Sequence, residues 1–332
     1  MIRRAHALLI VASLLCGCSK ATSRQLDVVK IADRGFLTNA PIYIAEADGF
    51  FADAGIRLEY TEPPRSSSQM IPLLERGSFD VMASQLTAAF FAAVGQGGKS
   101  RIVADRGHVA ATGCDYDGVM VRRGLFDKVA PTASTLRGKR FSLSAAGSAS
   151  YITDKYLESL GLTTKDLDMV RLGESLEAQA LDAGSIDGLH VAEPHLSQLV
   201  SEGHKLIGPA RLYAPGMHHA VLIFGPSLTV NRRELGERFM EAYLRGVKEF
   251  HKGLTPRNLD IIAKRTRLSP EVLRKICLPT ISADGELNYS SLLDFQKWAQ
   301  KNGYLETVLP ESGTDMAFAR QAARKLGIAS PR

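Results

Sequence analysis

Residues 28–60 constrain the fold more strongly than any other stretch, because they read as strand, polar loop, helix and strand in close succession. Side-chain character alternates over residues 28–33 and again over residues 56–61, which is typical of strands with a buried face. Between them, Asn39 is the predicted N-cap of a helix whose first turn contains Pro41, where a missing N–H costs no hydrogen bond. This order predicts a parallel α/β sheet, with the loop at residues 34–39 at the carboxyl end of the first strand, where such sheets bind ligands.

A later segment repeats the opening units at a nearly constant distance along the chain. LERGSFD at residues 74–80 matches LDAGSID at residues 181–187, and Tyr43 has a counterpart in Tyr151. The repetition predicts two similarly wound α/β lobes with a cleft between them. We expect the first lobe to comprise residues 26–115 and 216–332 and the second lobe residues 116–215. The chain would cross between them at about residues 112–120 and 210–220.

The amino-terminal residues are typical of a secretory leader. Arg3 and Arg4 precede an apolar run over residues 7–15 that is too short to span a bilayer. Residues 15–18, Leu-Cys-Gly-Cys, resemble a bacterial lipobox. We therefore predict a signal peptide over residues 1–17, a lipid on Cys18 and a tether over residues 18–25, with ordinary cleavage and no lipid as the alternative. The mature chain would be an exported lipoprotein of the cell envelope, facing the periplasm or the cell exterior.

Charge and composition exclude some classes of partner. The formal net charge is +6, and removal of the two leader arginines leaves +4. The basic residues form no runs and are not interleaved with aromatic residues, so we expect no nucleic-acid partner. A weak preference for anionic ligands is compatible with this balance.

Four phrases, in order along the chain, carry a resemblance to a known family. They are PIYIAEADGFFADAGIRLEY, LLERGSFDVMAS, LRGKRFSLSAAGSAS and ALDAGSIDGLHVAEP. Over about residues 28–305 the chain resembles the periplasmic solute-binding proteins of ABC importers for nitrate, alkanesulfonates, taurine and thiamine-pyrimidine precursors. The resemblance implies a two-lobed type II periplasmic-binding-protein fold and a monomer without a cofactor, which captures a small polar or anionic metabolite by hinge closure. It also implies an ABC permease and its ATPase as partners.

Loops at four strand ends are the predicted ligand contacts, two from each lobe. They lie at residues 34–39, 84–87, 144–148 and 193–195, and the helix start at Ser148 offers free N–H groups for an anion. Asn39, Ser84, Thr87 and Ser148 have an alternative role as helix caps, and Glu193 as a cap or a local partner. The candidate contacts are Phe36, Thr38, Asn39, Ser84, Gln85, Thr87, Ser144, Gly147, Ser148, Tyr151 and Glu193.

Histidines and cysteines suggest no metal site and no disulfide. His190, Glu193, His195, His218 and His219 could meet at the cleft, but strand alternation would point His190 and Glu193 to opposite faces, so no metal is predicted. Outside the leader, Cys114 lies near a predicted crossing and Cys277 on a predicted helix. Export permits a disulfide, but the spacing is not that of a disulfide framework, and we expect two separate thiols.

An enzyme on the same two-lobed fold is the alternative function. The resembled branch includes a pyrimidine-forming enzyme with a cysteine-rich motif, and related folds include lyases. The mature sequence lacks clustered cysteines, a nucleophile elbow, HExxH and a Walker loop, so no catalytic residue is predicted. A receptor or chaperone for another envelope metabolite is the second reading within binding proteins.

Overall fold

The computed structural model describes residues 25–62, 64, 67–126, 130–143, 146–172, 174–309 and 313–329. Two five-stranded mixed sheets, each flanked by helices, form two lobes, which confirms the predicted α/β class. The strands of the first-lobe sheet are β1 (Asp27–Ala32), β2 (Ile56–Thr61), β3 (Val81–Gln85), β4 (Arg101–His108) and β10 (His218–Phe224). They lie in the order β2-β1-β3-β10-β4, and β10 is antiparallel to both of its neighbours.

The second-lobe sheet has the same design. Its strands are β5 (Asp117–Val121), β6 (Arg140–Ser142), β7 (Asp168–Val170), β8 (Gly188–Ala192) and β9 (Lys205–Pro209). They lie in the order β7-β6-β8-β5-β9, and β5 is antiparallel to both neighbours, as β10 is in the first sheet. Each lobe therefore combines parallel strands with one antiparallel strand that connects it to the other lobe.

Helices cover the two sheets and provide most of the connections. Short 3₁₀ turns cover Leu37–Asn39 and Thr164–Asp166, and a π-turn covers Ser227–Asn231. None of the described helices combines the length and apolar character that a membrane-spanning helix requires. The helices are α1 (Ala40–Ala47), α2 (Phe50–Asp53), α3 (Ser67–Glu75), α4 (Ala88–Gly95), α5 (Ala133–Leu136), α6 (Ser148–Glu158), α7 (Glu174–Asp182), α8 (His195–Ser201), α9 (Ala210–Tyr213), α10 (Arg233–Phe250), α11 (Pro256–Thr266), α12 (Pro270–Leu273), α13 (Tyr289–Lys301) and α14 (Ala317–Lys325).

Packing of α1 against α10 fixes the opening loop. Helix α10 buries one apolar face, including Phe239, Tyr243 and Val247, at the helical spacing that the sequence predicts. Gly246 lies on this face, and a Cβ there would be only 2.1 Å from the Pro41 carbonyl oxygen. The absence of a side chain therefore permits close approach of the two helices, which holds the start of α1 over the sheet.

The chain passes between the lobes twice. It leaves the first sheet after β4 and returns to it with β10, so the first sheet draws strands from both ends of the chain and the second from the middle. The exact lobe boundaries at residues 115/116 and 215/216 stay a prediction. The predicted signal peptide, Cys18 and most of the tether lie in residues 1–24, outside the described residues.

The expectation of two separate thiols is wrong. Cys114, in the first crossing, forms a disulfide with Cys277, and their Cα atoms are 5.8 Å apart. Cys277 follows α12 in a loop and does not lie on a helix. The two residues are separated by 163 positions in sequence, so only the return of the chain to the first lobe brings them together.

Candidate functional site

The four loops predicted to hold a ligand follow strands at the two topological switch points. Strand order reverses between β1 and β3 in the first sheet and between β6 and β8 in the second. Open α/β sheets bind ligands at the carboxyl ends of strands on either side of such a reversal. Sheet topology thus favours the same region that the sequence pattern indicates.

Two of these loops, the one after β3 and the one after β6, bind each other directly across the cleft. The Ser148 N–H donates to the Leu86 carbonyl at 3.0 Å, and the Ala88 N–H donates to the Ala146 carbonyl at 2.9 Å. Thr87 and Gly147 lie opposite each other in an antiparallel bridge. The prediction of a free N–H at Ser148 is therefore wrong, because the facing lobe supplies a carbonyl for it.

Asn39 lies at the N-cap position of α1, but its side chain does not cap the helix. Its amide nitrogen donates to the Asp33 carboxylate and its amide oxygen accepts from Arg106. The Tyr43 hydroxyl donates to the other Asp33 oxygen at 2.7 Å. The predicted capping role is wrong because stronger, partly charged partners compete for both ends of the amide. Asn39 instead positions the Arg106 guanidinium.

Arg106, near the end of β4, is the least compensated charge at this edge of the sheet. Its side chain is 0% exposed. Its Nη1 donates to Thr38 Oγ1 and Asn39 Oδ1, and its Nε donates to the Val221 carbonyl at 3.3 Å.

Among the described residues, no atom forms a hydrogen bond with Arg106 Nη2 and no carboxylate contacts this guanidinium directly, although the nearby Asp33 carboxylate, which binds Asn39, attracts it electrostatically. Burial lowers the pKa of Arg106 from its ordinary value. A buried cation with an unsatisfied donor and no carboxylate in direct contact is a natural partner for an anion.

On the second-lobe side, Asp117 lies between two imidazoles at the start of β5. Its Oδ2 is 3.3 Å from His219 Nδ1 and 3.5 Å from His190 Nε2. Neither nitrogen has hydrogen-bond geometry to any described atom, and His219 Nε2 has no partner either. Burial alone would raise the pKa of Asp117, but the neighbouring imidazoles of His219 and His190 outweigh burial and hold this pKa below its ordinary value. The carboxylate is therefore ionised at neutral pH.

Tyr116 connects the Arg106 and Asp117 groups. Its ring stacks on the His219 imidazole with centroids 5.2 Å apart and planes at 29°. Burial raises the pKa of the Tyr116 hydroxyl, and the Asp117 charge adds to this effect. Tyr116 is therefore a neutral hydroxyl at the crossing between the lobes.

A separate Asp–His–His set meets the geometric requirement for a metal. Ligand atoms of Asp105, His108 and His218 lie within 4.8 Å of one another. However, the Asn288 N–H donates to His218 Nε2 at 2.7 Å, so the proton of neutral His218 is on Nδ1 and faces Asp105 at 3.0 Å. A metal on Nδ1 would move that proton to Nε2, opposite another N–H donor. These contacts favour a hydrogen-bond network over a metal centre.

The remaining candidate contacts in the loops differ in burial and in whether their polar atoms have a hydrogen-bond partner. Phe36 is half-buried beneath the Arg34 guanidinium, which lies 5.1 Å from the ring centroid. Ser84 donates to the Gln85 carbonyl at 3.2 Å, and Gln85 is half-buried. Thr87 precedes α4 without capping it, and its Oγ1 is buried without a partner. Ser144 lies outside the described residues.

Other candidates contact protein atoms rather than open space. Ser148 donates from its hydroxyl to the His219 carbonyl at 3.3 Å. Both Glu193 oxygens are engaged near the start of α8, where they accept from the Ser197 N–H and hydroxyl and from the Cys277 N–H. Tyr151 packs on first-lobe aromatic residues. Their contacts with a ligand stay predictions.

Sequence reasoning missed Arg106, Tyr116 and Asp117. The available signal was the charged residues at the carboxyl end of one strand, RIVADRGH, and the aspartate at the start of another, DGVMV, which Tyr116 directly precedes. A buried charge needs a partner, so such positions are candidates for function even when no motif marks them.

Comparison with solved structures identifies the class of fold. The chain is similar to the ligand-binding component of an ABC-type import system from Staphylococcus aureus, solved with zinc bound, with a TM-score of 0.72 and 14% identity over 90% of this chain and 99% of that chain. It is also similar to the periplasmic nitrate-binding protein NrtA from Synechocystis PCC 6803, with a TM-score of 0.72 and 14% identity over 92% of this chain and 90% of that one. The fold is that of the periplasmic binding proteins.

Sequence comparison gives the family. The NMT1/THI5-like family model matches residues 38–253, and the chain belongs to this family. A relative in Bacillus subtilis (strain 168), provisionally named an aliphatic sulfonates-binding protein, is 23% identical over 265 residues, which cover 74% of this chain and 71% of the relative. The predicted resemblance to this branch of binding proteins is confirmed.

Proposed function

We propose that this protein is the exported substrate-binding component of an ABC-type importer and that it captures a small oxyanion between its lobes. The carrying observation is the buried Arg106 guanidinium, whose Nη2 has no hydrogen-bond partner and which no carboxylate of the described residues contacts directly. Burying a cation without compensation costs free energy, which binding of an anion would recover. The relatives named for aliphatic sulfonates and for nitrate support the same class of ligand.

Around Arg106, we propose two roles for the candidate residues. Thr38 and Asn39 hold the guanidinium in place, because both accept from its Nη1. Thr87 and His219 have buried polar atoms without partners and supply further contacts once the lobes rearrange around a ligand. The other proposed contacts are Phe36, Ser84, Gln85, Gly147 and Ser148, whereas the Tyr151 ring packs on Phe295 and Trp298.

Binding would be coupled to closure of the cleft. Arg106 and Thr87 belong to the first lobe, whereas Asp117 and Gly147 belong to the second. A ligand that touches both walls has a higher affinity for the closed arrangement, and only such a difference shifts an open–closed equilibrium. The closed form would then dock on a permease that a separate ATPase drives, with the binding protein acting as a monomer.

Tethering is a separate part of the proposal. We propose that Cys18 becomes the lipidated first residue of the mature chain and holds it at the membrane. Changing Cys18→Ser should release the protein from membranes or stall its processing. Unchanged membrane association and unchanged mature mass would contradict the lipid anchor.

Anion specificity can be tested with a thermal-shift panel of alkanesulfonates, nitrate, carboxylates, pyrimidines and amines. A ligand at about 100 times its Kd should stabilise the protein by about 2.7 kcal/mol. Arg106→Gln should weaken anion binding by about thirtyfold or more, equivalent to about 2 kcal/mol, because the ligand loses its charged partner. The anion affinity of Arg106→Lys should lie between those of the wild-type protein and Arg106→Gln, since lysine keeps the positive charge but lacks the planar guanidinium.

Melting without ligand is the control for folding of both variants. Unchanged anion affinity in a folded Arg106→Gln variant would contradict the assigned site. Chemical turnover of a panel compound by the purified protein would favour the enzyme alternative.

A further inference from the structure

Helix α6 of the second lobe packs on helix α13 of the first lobe. The Tyr151 ring on α6 lies edge-on to two α13 rings, with centroids 5.8 Å from Phe295 and 5.6 Å from Trp298. Tyr151 is 5% exposed and belongs to the apolar core of the first lobe, although its helix belongs to the second. The Tyr151 ring is therefore buried between the two lobes.

A buried polar contact fixes the register of the two helices. Trp298 Nε1–H donates to Asp154 Oδ2 at 2.7 Å, and both residues are nearly fully buried. The other Asp154 oxygen accepts from the Thr164 N–H at 2.6 Å within the second lobe. Asp154 therefore bonds to both lobes at once, and separation of the helices would break its hydrogen bond to Trp298.

The same helix begins at the backbone bridge that joins the ligand loops. Ser148, its first residue, donates to Leu86 across the cleft, and Tyr151 and Asp154 follow one and two turns later. A movement that opened the cleft at Ser148 would pull α6 from α13. Closure of the ligand loops and formation of the α6–α13 contact are thus mechanically one event.

We propose that Tyr151, Asp154, Phe295 and Trp298 form an interlobe latch that stabilises the closed arrangement and thereby sets ligand affinity without touching the ligand. This inference rests on the proposed function for the part that concerns affinity. Its physical basis is that apparent affinity falls in proportion to the fraction of molecules in the binding-competent arrangement.

The sharpest variant is Asp154→Asn. The asparagine oxygen can still accept from Thr164, whereas its NH₂ group would face the Trp298 N–H, so only the latch bond is lost. Trp298 is the only tryptophan of the chain, so its emission reports directly on this interface. Opening should shift that emission to longer wavelength and increase the radius of gyration in X-ray scattering, both measured without ligand.

Binding should then weaken in the variant. We expect about tenfold weaker binding of whichever sulfonate or nitrate the wild-type protein binds. Lys301→Ala is the matched control, because it removes an exposed pair with Glu158 at 3.8 Å between the same helices and should change affinity less than twofold. The double variant Trp298→Phe/Asp154→Asn removes the donor–donor clash and should recover part of the loss.

The readouts separate this inference from the proposed function. Unchanged emission, radius of gyration and affinity in a folded Asp154→Asn variant would overturn the latch. If no panel anion binds the wild-type protein, the proposed function fails, yet scattering and emission still decide whether the latch holds the lobes together. A lower melting temperature with an unchanged radius of gyration and emission would also overturn the inference, because the contact would then be structural only.

Discussion

Consecutive residues of β10, His218 and His219, belong to two different Asp–His–His sets. The set of Asp105, His108 and His218 is hydrogen-bonded, whereas the set of Asp117, His190 and His219 has nitrogens without hydrogen-bond partners. His218 faces Asp105 of the first lobe, whereas His219 faces Asp117 of the second. Asp105 accepts from the Gly107 N–H at 2.9 Å and the Ser282 N–H at 2.7 Å, in addition to its two histidines. Among the described residues, two imidazole nitrogens lie near the Asp117 carboxylate, at distances and angles that form no regular hydrogen bond.

The difference shows that residue type alone does not separate structure from function. The first set closes a network in which every nitrogen of His218 has a partner, so it stabilises the junction of β4 and β10. The second set leaves buried imidazole nitrogens without hydrogen-bond partners, which costs stability. Such unpaired groups are retained where a functional site needs them. Of the histidines that could meet at the cleft, His190 and His219 flank Asp117, whereas His218 bonds to Asp105.

The largest expected effect comes from removing the satisfied carboxylate. Asp105→Asn should lower the free energy of unfolding by about 3 kcal/mol, because an amide cannot accept from all four donors. Asp117→Asn is the matched variant and should cost about 1 kcal/mol or less. Denaturant unfolding of both proteins measures the difference. Equal losses would mean that the two sets do not differ in the way their contacts indicate.

The two histidines sharpen the same comparison. His218→Gln should cost about 2 kcal/mol, since it loses the contacts to Asp105 and Asn288. His219→Gln should leave stability within about 0.5 kcal/mol but change the affinity for the anion, measured by titration calorimetry. A strongly destabilised His219→Gln protein with unchanged affinity would assign His219 to the core rather than to the site.

Acid should act through the Asp105 set and, by the same linkage, through Asp117, because neighbouring histidines hold the pKa of both carboxylates below the ordinary value. Burial would raise the pKa of Asp105, but His218 and His108 together hold it below the ordinary value of 3.8. The unfolded chain then takes up this proton at a higher pH than the folded protein, so the stabilisation is present above pH 4 and is lost as pH falls further. Melting temperatures between pH 7 and pH 3 should fall less steeply in Asp105→Asn than in the wild-type protein. If the pH dependence of the melting temperature were unchanged in Asp105→Asn but weaker in Asp117→Asn, the acid sensitivity would belong to Asp117 and not to Asp105.

The sequence by itself determined the class of fold and predicted the general position of the candidate site. Alternation over residues 28–33 and 56–61, the helical face of α10 and the paired LERGSFD and LDAGSID phrases depend on local periodicity, and local periodicity survives in the structure. The phrases also lead to equivalent strands, β3 and β8, in the two sheets. The loops at strand ends followed from this topology without knowledge of any contact.

Only the tertiary structure decided which polar groups are satisfied. Arg106 finds Thr38 and Asn39 at 68 and 67 positions along the chain, and Asp105 finds His218 at 113 positions. Cys114 and Cys277 pair across 163 positions. A pattern with a period of two or 3.6 residues carries no information on such partners, because hydrogen bonding and burial of charge depend on atoms that meet only when the chain has crossed between the lobes and returned.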